Sequence, residues 1–280
     1  MKDQSYIGLS FDLTPEAENI QAYLMLFDPL GFHEEEEKWS CYFTRAQWDR
    51  ISPELLPSLR EKFPASPYTM FEMENRNWNA EWESGIEPVR VSERILVSPS
   101  WHRLDESPET TVIVIDPKMS FGTGHHPTTR LMLRLLEPSI RGGESVLDVG
   151  TGTGILAIAA VKLGAATALG LDTDEWSFEN AHENVERNGV ADHVAIRLSG
   201  IEQVSDRYDI LLANITRDDN IRMMPAFRDR LTAEGVLILS GFTRDDIETV
   251  RRAASAYGFR ETALLVEEEW AALSLRLVGG

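Results

Sequence analysis

The stretch Ser145–Gly164, "SVLDVGTGTGILAIAAVKLG", decides how the chain is read. Its front, "SVLDVG", has the near-continuous apolar character of a strand buried in a parallel sheet, and "TGILAIAAVKLG" reads as a helix. Gly150 and Gly152 stand where one becomes the other, so the backbone there can approach a ligand closely and the helix N-terminus can face it. Gly154 lets the helix pack on the sheet. Taken alone, such glycines fit a tight turn with no ligand equally well. The context strengthens them: Asp172 ends the next strand, 22 residues after Gly150, where a carboxylate can accept hydrogen bonds from both hydroxyls of a ribose. Asp174, just beyond, reads as the cap of the following helix. Strand, glycine turn, helix, strand and acid in that order predict a nucleoside-cofactor site.

Downstream of residue 128, strands and helices alternate. "TTRLMLRLLE" is a helix, "ATALGLD" a strand, "DEWSFENAHENVERNG" a helix, "HVAIRL", "YDILLAN" and "GVLILSGF" strands, and "RDDIETVRRAASAYG" a helix. This is the pattern of a doubly wound α/β domain. It closes with "TALLVEEEWAALSLRL", two strands turning at "EEEW", a pair too close in sequence to be parallel. A mostly parallel sheet ending in an antiparallel hairpin predicts a Class I methyltransferase domain of Rossmann-like type rather than a dehydrogenase. The glycine spacing agrees, because Gly-x-Gly-x-Gly differs from the Gly-x-Gly-x-x-Gly that favours a pyrophosphate, and no Gly-Lys-Ser/Thr phosphate loop exists. S-adenosylmethionine carries no phosphate. Asn214 stands at the tip of the fourth strand, where a carboxamide can accept an N–H bond from an amine and aim its lone pair at a sulfonium methyl. The alternative is that Asn214 only caps the helix that follows.

The front of the chain has another character. Ile7, Leu9 and Phe11 alternate as in a half-buried strand, and Thr14 and Pro15 open a helix as N-cap and first residue. "GFHEEEE" and "KWSCYFT" read as strands, Ala46 to Phe63 as a second helix, and "YTMFEME" as a last strand. The order βαββαβ is that of a small ferredoxin-like α+β domain. The run Glu34 to Glu37 reads as a solvated hairpin. Domain limits follow as 1–75 for this front domain, 76–95 for a linker and 96–280 for the catalytic domain. In the linker, Trp78 and Trp82 share one face of a short helix, which suits packing against a neighbouring domain better than stacking on a ligand. Residues 89–97 and 111–115 read as strands leading into the second domain.

Composition sets the outer limits. No apolar run approaches a membrane span, and the N-terminus lacks the apolar core of a signal peptide, so a cytoplasmic protein is expected. The single cysteine, Cys41, cannot form an internal disulfide. A net charge of -19 argues against holding bare nucleic acid through phosphates and favours a basic partner, although an acidic surface that only aids solubility fits as well. Residues 1–75 carry net -8 and the remaining 205 carry -11, so charge is denser in front. Adjacent His125 and His126 do not read as a metal site, because neighbouring side chains diverge and no third ligand is evident.

"DPKMSFGTGHHPTT", "VLDVGTGTGILAIAAVKLGA", "GLDTD" and "LLANI" together resemble the PrmA family, the methyltransferases of protein eleven of the large ribosomal subunit. The resemblance covers nearly the whole second domain, and the front domain and tryptophan-bearing linker fit it. It implies that Thr129, Gly150, Asp172 and Asn214 contact S-adenosylmethionine, with Phe121 and Gly152 close by. It further implies that "FGTG" forms a loop over the methionine end, so that the cofactor lies between this loop and the glycine turn. The implied reaction is methylation of lysine side chains and the α-amine of ribosomal protein eleven, which the front domain recognises. Two departures stand out: His125 where the family more often has threonine, and a more charged "ITRDDN" after Asn214, which bears on the lip of the site and on substrate range. Other readings are a Class I methyltransferase for another protein or a small-molecule amine, a nicotinamide dehydrogenase and a non-catalytic sensor of the cofactor. The closing hairpin and Asn214 disfavour the dehydrogenase, and an intact "LLANI" the sensor.

Overall fold

Alternating burial builds the first sheet. In a computed structural model, which describes residues 6–34, 38–73, 87–102, 106–116 and 120–278, the chain divides into two compact units, Met1–Trp82 and Glu83–Gly280. The first unit runs β1 (Tyr6–Asp12), α1 (Ala17–Leu24), β2 (Gly31–Glu34), β3 (Lys38–Thr44), α2 (Arg45–Lys62) and β4 (Tyr68–Met73). Its antiparallel sheet has the order β2-β3-β1-β4. Ile7, Leu9, Phe11, Trp39, Cys41 and Phe43 all point to one face and bury against Ile20, Leu24, Leu55 and Leu59. Burial pushes the Cys41 thiol up to about 12, so it is an inert apolar filler. Thr44 caps α2 by accepting the Gln47 N–H at 3.2 Å. The first helix begins later than the Thr14–Pro15 signal predicts. The Thr14 carbonyl instead accepts the Ala17 N–H at 2.9 Å, closing a turn ahead of the helix, and the Thr14 hydroxyl is buried without a partner. Residues 35–37 of the acidic run, and Trp78 and Trp82, lie outside the described residues.

From Glu87 onward the described chain already belongs to the second unit, with Val91 and Ile95 in its core. A small sheet comes first: β5 (Val89–Arg90) antiparallel to β6 (Ile95–Ser98), and β6 parallel to β7 (Thr111–Val114). The free edge of β7 is met by side-chain amides rather than by another strand. Asn188 Nδ2 donates to the Val114 carbonyl at 2.6 Å, its Oδ1 accepts the Val114 N–H at 2.9 Å, and Asn184 Oδ1 accepts the Asp116 N–H at 3.0 Å.

The main sheet contains β8 (Ser145–Val149), β9 (Thr167–Asp172), β10 (Val194–Leu198), β11 (Tyr208–Asn214), β12 (Leu231–Thr243), β13 (Phe259–Glu267) and β14 (Trp270–Leu277). Their order is β10-β9-β8-β11-β12-β14-β13, with β14 antiparallel to both its neighbours and the remaining pairs parallel. Successive residues serve opposite faces: Val146, Ile210, Leu212 and Ile238 join one core cluster, while Leu147, Leu211, Leu237 and Leu239 join the other. Helices α3 (Pro127–Leu136), α4 (Ile155–Leu163), α5 (Glu175–Arg187), α6 (Arg217–Asp229) and α7 (Ile247–Ala256) cover these faces. The strand order and the terminal antiparallel hairpin are those of a Class I methyltransferase domain, as the closing "EEEW" turn predicts. Helix α6 was hidden between two strand patterns: it fully buries only Asn220, Met224 and Phe227, carries Pro225, and bears six charged residues. Among the described residues, no helix is long and apolar enough to cross a membrane.

Candidate functional site

The C-terminal ends of the parallel strands converge on the glycine turn. Gly150, Gly152 and Gly154 all have positive φ, at 71°, 56° and 81°, conformations that a side chain disfavours. The turn is tied to the next strand, because the Gly150 and Thr151 N–H groups both donate to the Leu171 carbonyl at 2.9 Å. Asp172, ending β9, accepts the Gly152 N–H on Oδ2 at 2.9 Å and the Asp174 N–H on Oδ1 at 3.1 Å. Two backbone donors therefore fix the carboxylate while spare lone pairs face outward. Asp174 caps α5 through the Ser177 N–H at 2.8 Å, in line with its sequence reading.

A cavity of about 420 Å³ opens beside this turn, a size suited to a small-molecule ligand. Gly150 and Asp172 line it, together with Thr173, Ser199, Gly200, Ile201 and Glu202 after β9 and β10, and Ile215, Asp219, Arg222 and Met223 after β11. The residues after β10 and on α6 carry no motif, and only their place at strand ends beside the glycine turn signals them. Phe121, Thr129, Gly152 and Asn214 are not among the residues lining this cavity.

The chain itself fills the space beside two of the glycines. A Cβ on Gly150 would stand 2.5 Å from Ile215 Cγ2, and one on Gly152 would stand 2.4 Å from the Phe121 carbonyl oxygen. Glycine at 152 is thus required by the loop Phe121–His126, which lies directly on the turn. Thr153 fastens that loop: its N–H donates to the Phe121 carbonyl at 3.0 Å and its hydroxyl to the Gly122 carbonyl at 2.6 Å. Phe121 is 53% exposed and its ring meets His126 edge-on at 5.1 Å, and His126 in turn meets Trp270 at 4.8 Å. His126 caps α3, its Nδ1 accepting the Thr128 N–H at 3.3 Å. Burial, then the Arg130 charge, hold its pKa below the usual histidine value against the opposing pull of Glu269 and Glu268, so the ring is neutral at pH 7. His125 is exposed and stands apart from this stack.

Among the described residues around the turn, Thr129 Oγ1, Asp148 Oδ1, Ser199 Oγ, Asn214 Oδ1 and Asn220 Oδ1 are buried without a hydrogen-bond partner. Orphaned buried polar atoms are uncommon and each calls for an explanation, a bound ligand among them. Thr129 is fully buried at the start of α3. Asn214 ends β11, whose Ala213 lies opposite Val149 of β8, so the residue stands level with Gly150 at the strand ends. It is not the cap of α6, a role taken by Thr216. Asn220, fully buried and not singled out by any motif, braces this loop by donating to the Ile215 carbonyl at 3.0 Å and the Ser240 carbonyl at 2.8 Å. Asp148 is fully buried; its Oδ2 accepts the Thr151 hydroxyl at 2.6 Å, and burial pushes its pKa up to about 7.

The family model described as ribosomal protein L11 methyltransferase (PrmA) matches residues 22–277. Among similar proteins, the ribosomal protein L11 methyltransferases of Chlorobaculum parvum and Porphyromonas gingivalis are 36% and 35% identical to this chain, each over 96% of both chains. Among solved structures, a ribosomal protein L11 methylase from Lactobacillus delbrueckii subsp. bulgaricus superposes with a TM-score of 0.64 at 29% identity, covering 69% of this chain and all of that one.

Proposed function

The chain belongs to the ribosomal protein L11 methyltransferase (PrmA) family, and on that premise we propose that it methylates amino groups of ribosomal protein L11, on lysine side chains and the α-amine, using S-adenosylmethionine. The observation that carries the cofactor reading is the pair of unpartnered buried oxygens Thr129 Oγ1 and Asn214 Oδ1, on segments that flank one glycine turn. The cavity of about 420 Å³ beside Asp172 supports it. Asp172 would hold the ribose hydroxyls, and Gly150 and Gly152 would shape the turn the cofactor follows. Thr129 would offer its hydroxyl to the methionine end, with Phe121 covering that end. When bound, the sulfonium supplies an already electrophilic methyl group. The protein's work is then alignment and exclusion of water.

Asn214 would accept an N–H of the incoming amine and so direct its lone pair. The amine must arrive neutral, and with a free lysine pKa near 10.4 deprotonation at pH 7 costs about 4 to 5 kcal/mol, part of which a dry site removes. No residue stands out in the sequence as a dedicated general base, and His126 is engaged with Thr128. Water would carry the proton away. The first unit, with its βαββαβ order and 2-3-1-4 antiparallel sheet, reads as a ferredoxin-like substrate-recognition domain, and its negative charge suits a basic ribosomal protein.

The test is to incubate the protein with methyl-labelled S-adenosylmethionine and purified large-subunit ribosomal proteins. Label confined to L11, on lysine and α-amine nitrogens, is expected. Label on another protein or on a small amine instead would replace the substrate assignment and keep the chemistry.

A further inference from the structure

The loop Phe121–His126 has no regular secondary structure, so side chains decide where it lies. Its front is held by Thr153. Its rear is held by one guanidinium: Arg130 Nη1 donates to the His125 carbonyl, while Nε and Nη2 of the same group donate to Glu267 Oε1, Nε at 2.7 Å. Glu267 is the last residue of β13, and Trp270, which packs on His126, is the first of β14. Both rear fastenings thus come from the two ends of a single two-residue turn. Within that turn Glu268 has a φ of 56°, a left-handed conformation that only one other non-glycine described residue, Asp28, adopts. The Arg130 and Glu267 side chains are 15% and 22% exposed, so solvent screens this pair far less than a surface ion pair.

We propose that Arg130, clamped by Glu267, is a positioning residue for cofactor binding: it fixes the His125 carbonyl and so sets how the loop bearing Phe121, and the first turn bearing Thr129, meet the cofactor. The closing hairpin of the sheet then acts as the loop's external brace. The inference rests on the cofactor reading above and is independent of which amine receives the methyl group. A purely structural role for the ion pair is the competing account, and Arg134 separates the two. Arg134 Nη1 also donates to Glu267, at 2.6 Å, but its Nε goes to the Val91 carbonyl at 2.9 Å, just after β5 and outside the loop.

The experiment compares Arg130→Met, Arg130→Lys and Arg134→Met in the full-length chain. Arg130→Lys retains a charge for Glu267 and so protects folding, but a single ammonium lacks the fork that reaches both partners. Calorimetry with S-adenosylhomocysteine gives the dissociation constant, hydrogen exchange of the amides of residues 121–126 reports the loop, and melting temperatures report stability. Both Arg130 variants are expected to weaken binding about tenfold or more and to speed exchange in the loop, as loss of a charge-assisted hydrogen bond implies. Arg134→Met should lower the melting temperature while binding and loop exchange stay at wild-type values. Wild-type affinity in either Arg130 variant, or equal weakening by Arg134→Met, would overturn the proposal. Failure of the wild-type chain itself to bind this probe would instead defeat the cofactor reading on which the proposal rests.

Discussion

Replacing Gly152 by alanine is the sharpest probe of the way the loop lies on the turn. Two costs are separable. The φ of 56° places alanine in the left-handed region, at about 1 to 2 kcal/mol. The new Cβ would also lie 2.4 Å from the Phe121 carbonyl oxygen, a backbone atom that cannot rotate aside, so the loop must lift. Lifting it breaks the bonds from the Thr153 N–H and hydroxyl to the Phe121 and Gly122 carbonyls, worth about 0.5 to 1.5 kcal/mol each. The sum is about 2 to 5 kcal/mol. Gly189 provides the reference: its φ is 65° and a Cβ there would meet nothing within 4 Å, so Gly189→Ala carries only the first cost. Denaturant unfolding of both variants without cofactor should place Gly152→Ala about 1 to 3 kcal/mol below Gly189→Ala. It should also weaken S-adenosylhomocysteine binding. Equal stability of the two variants would refute the claim that the loop, rather than ligand access alone, demands glycine at 152.

Asp172→Ala should raise the calorimetric dissociation constant for cofactor by about a hundredfold, the loss of two charge-assisted bonds to a ribose. Asn214→Ala should lower kcat for methyl transfer by about a hundredfold with a smaller effect on cofactor affinity, measured by single-turnover transfer of label. Deleting residues 1–82 should spare cofactor binding and abolish methylation of L11; unchanged turnover in the truncated chain would refute a recognition role for the first unit. Asp148 makes a pH prediction. Its carboxyl is raised from 3.8 to about 7 in the folded protein, so the unfolded state loses this proton first as pH rises. Stability of the cofactor-free protein should therefore fall between about pH 4 and pH 7 and level off above, and Asp148→Asn should flatten that slope in a series of thermal melts.

Legibility in the sequence followed range. The turn from β8 to α4 and Asp172 at the end of β9 were readable because glycine spacing and strand period are local, and the closing hairpin was readable because its two strands are neighbours in the chain. Asp174 announced its cap within three residues. What the sequence concealed lies in contacts between distant segments. The carbonyl of Phe121 demands the glycine at 152, and Arg130 meets Glu267 across 137 residues. Residues Ser199–Glu202 face the cavity only because parallel pairing sets β10 beside β9. Helix α6 was obscured for a different reason: its inward positions 220, 224 and 227 have helical spacing, but one of them is the polar Asn220 and Pro225 sits inside the helix.

The amides that finish the edge of β7 also give the molecule a chemical clock. Asn188 precedes Gly189, and in such a pair the glycine nitrogen readily attacks the carboxamide, expelling ammonia to form a succinimide that hydrolyses to aspartate or isoaspartate. In the native chain the Gly189 N–H donates to the Glu186 carbonyl at 3.0 Å, and both ends of the Asn188 carboxamide are engaged with Val114. Ring closure has to wait until the end of α5 frays. An opening during which the ring closes adds one negative charge at a position that cannot afterwards donate to Val114, and such deamidation would be measured as an acidic shift on isoelectric focusing.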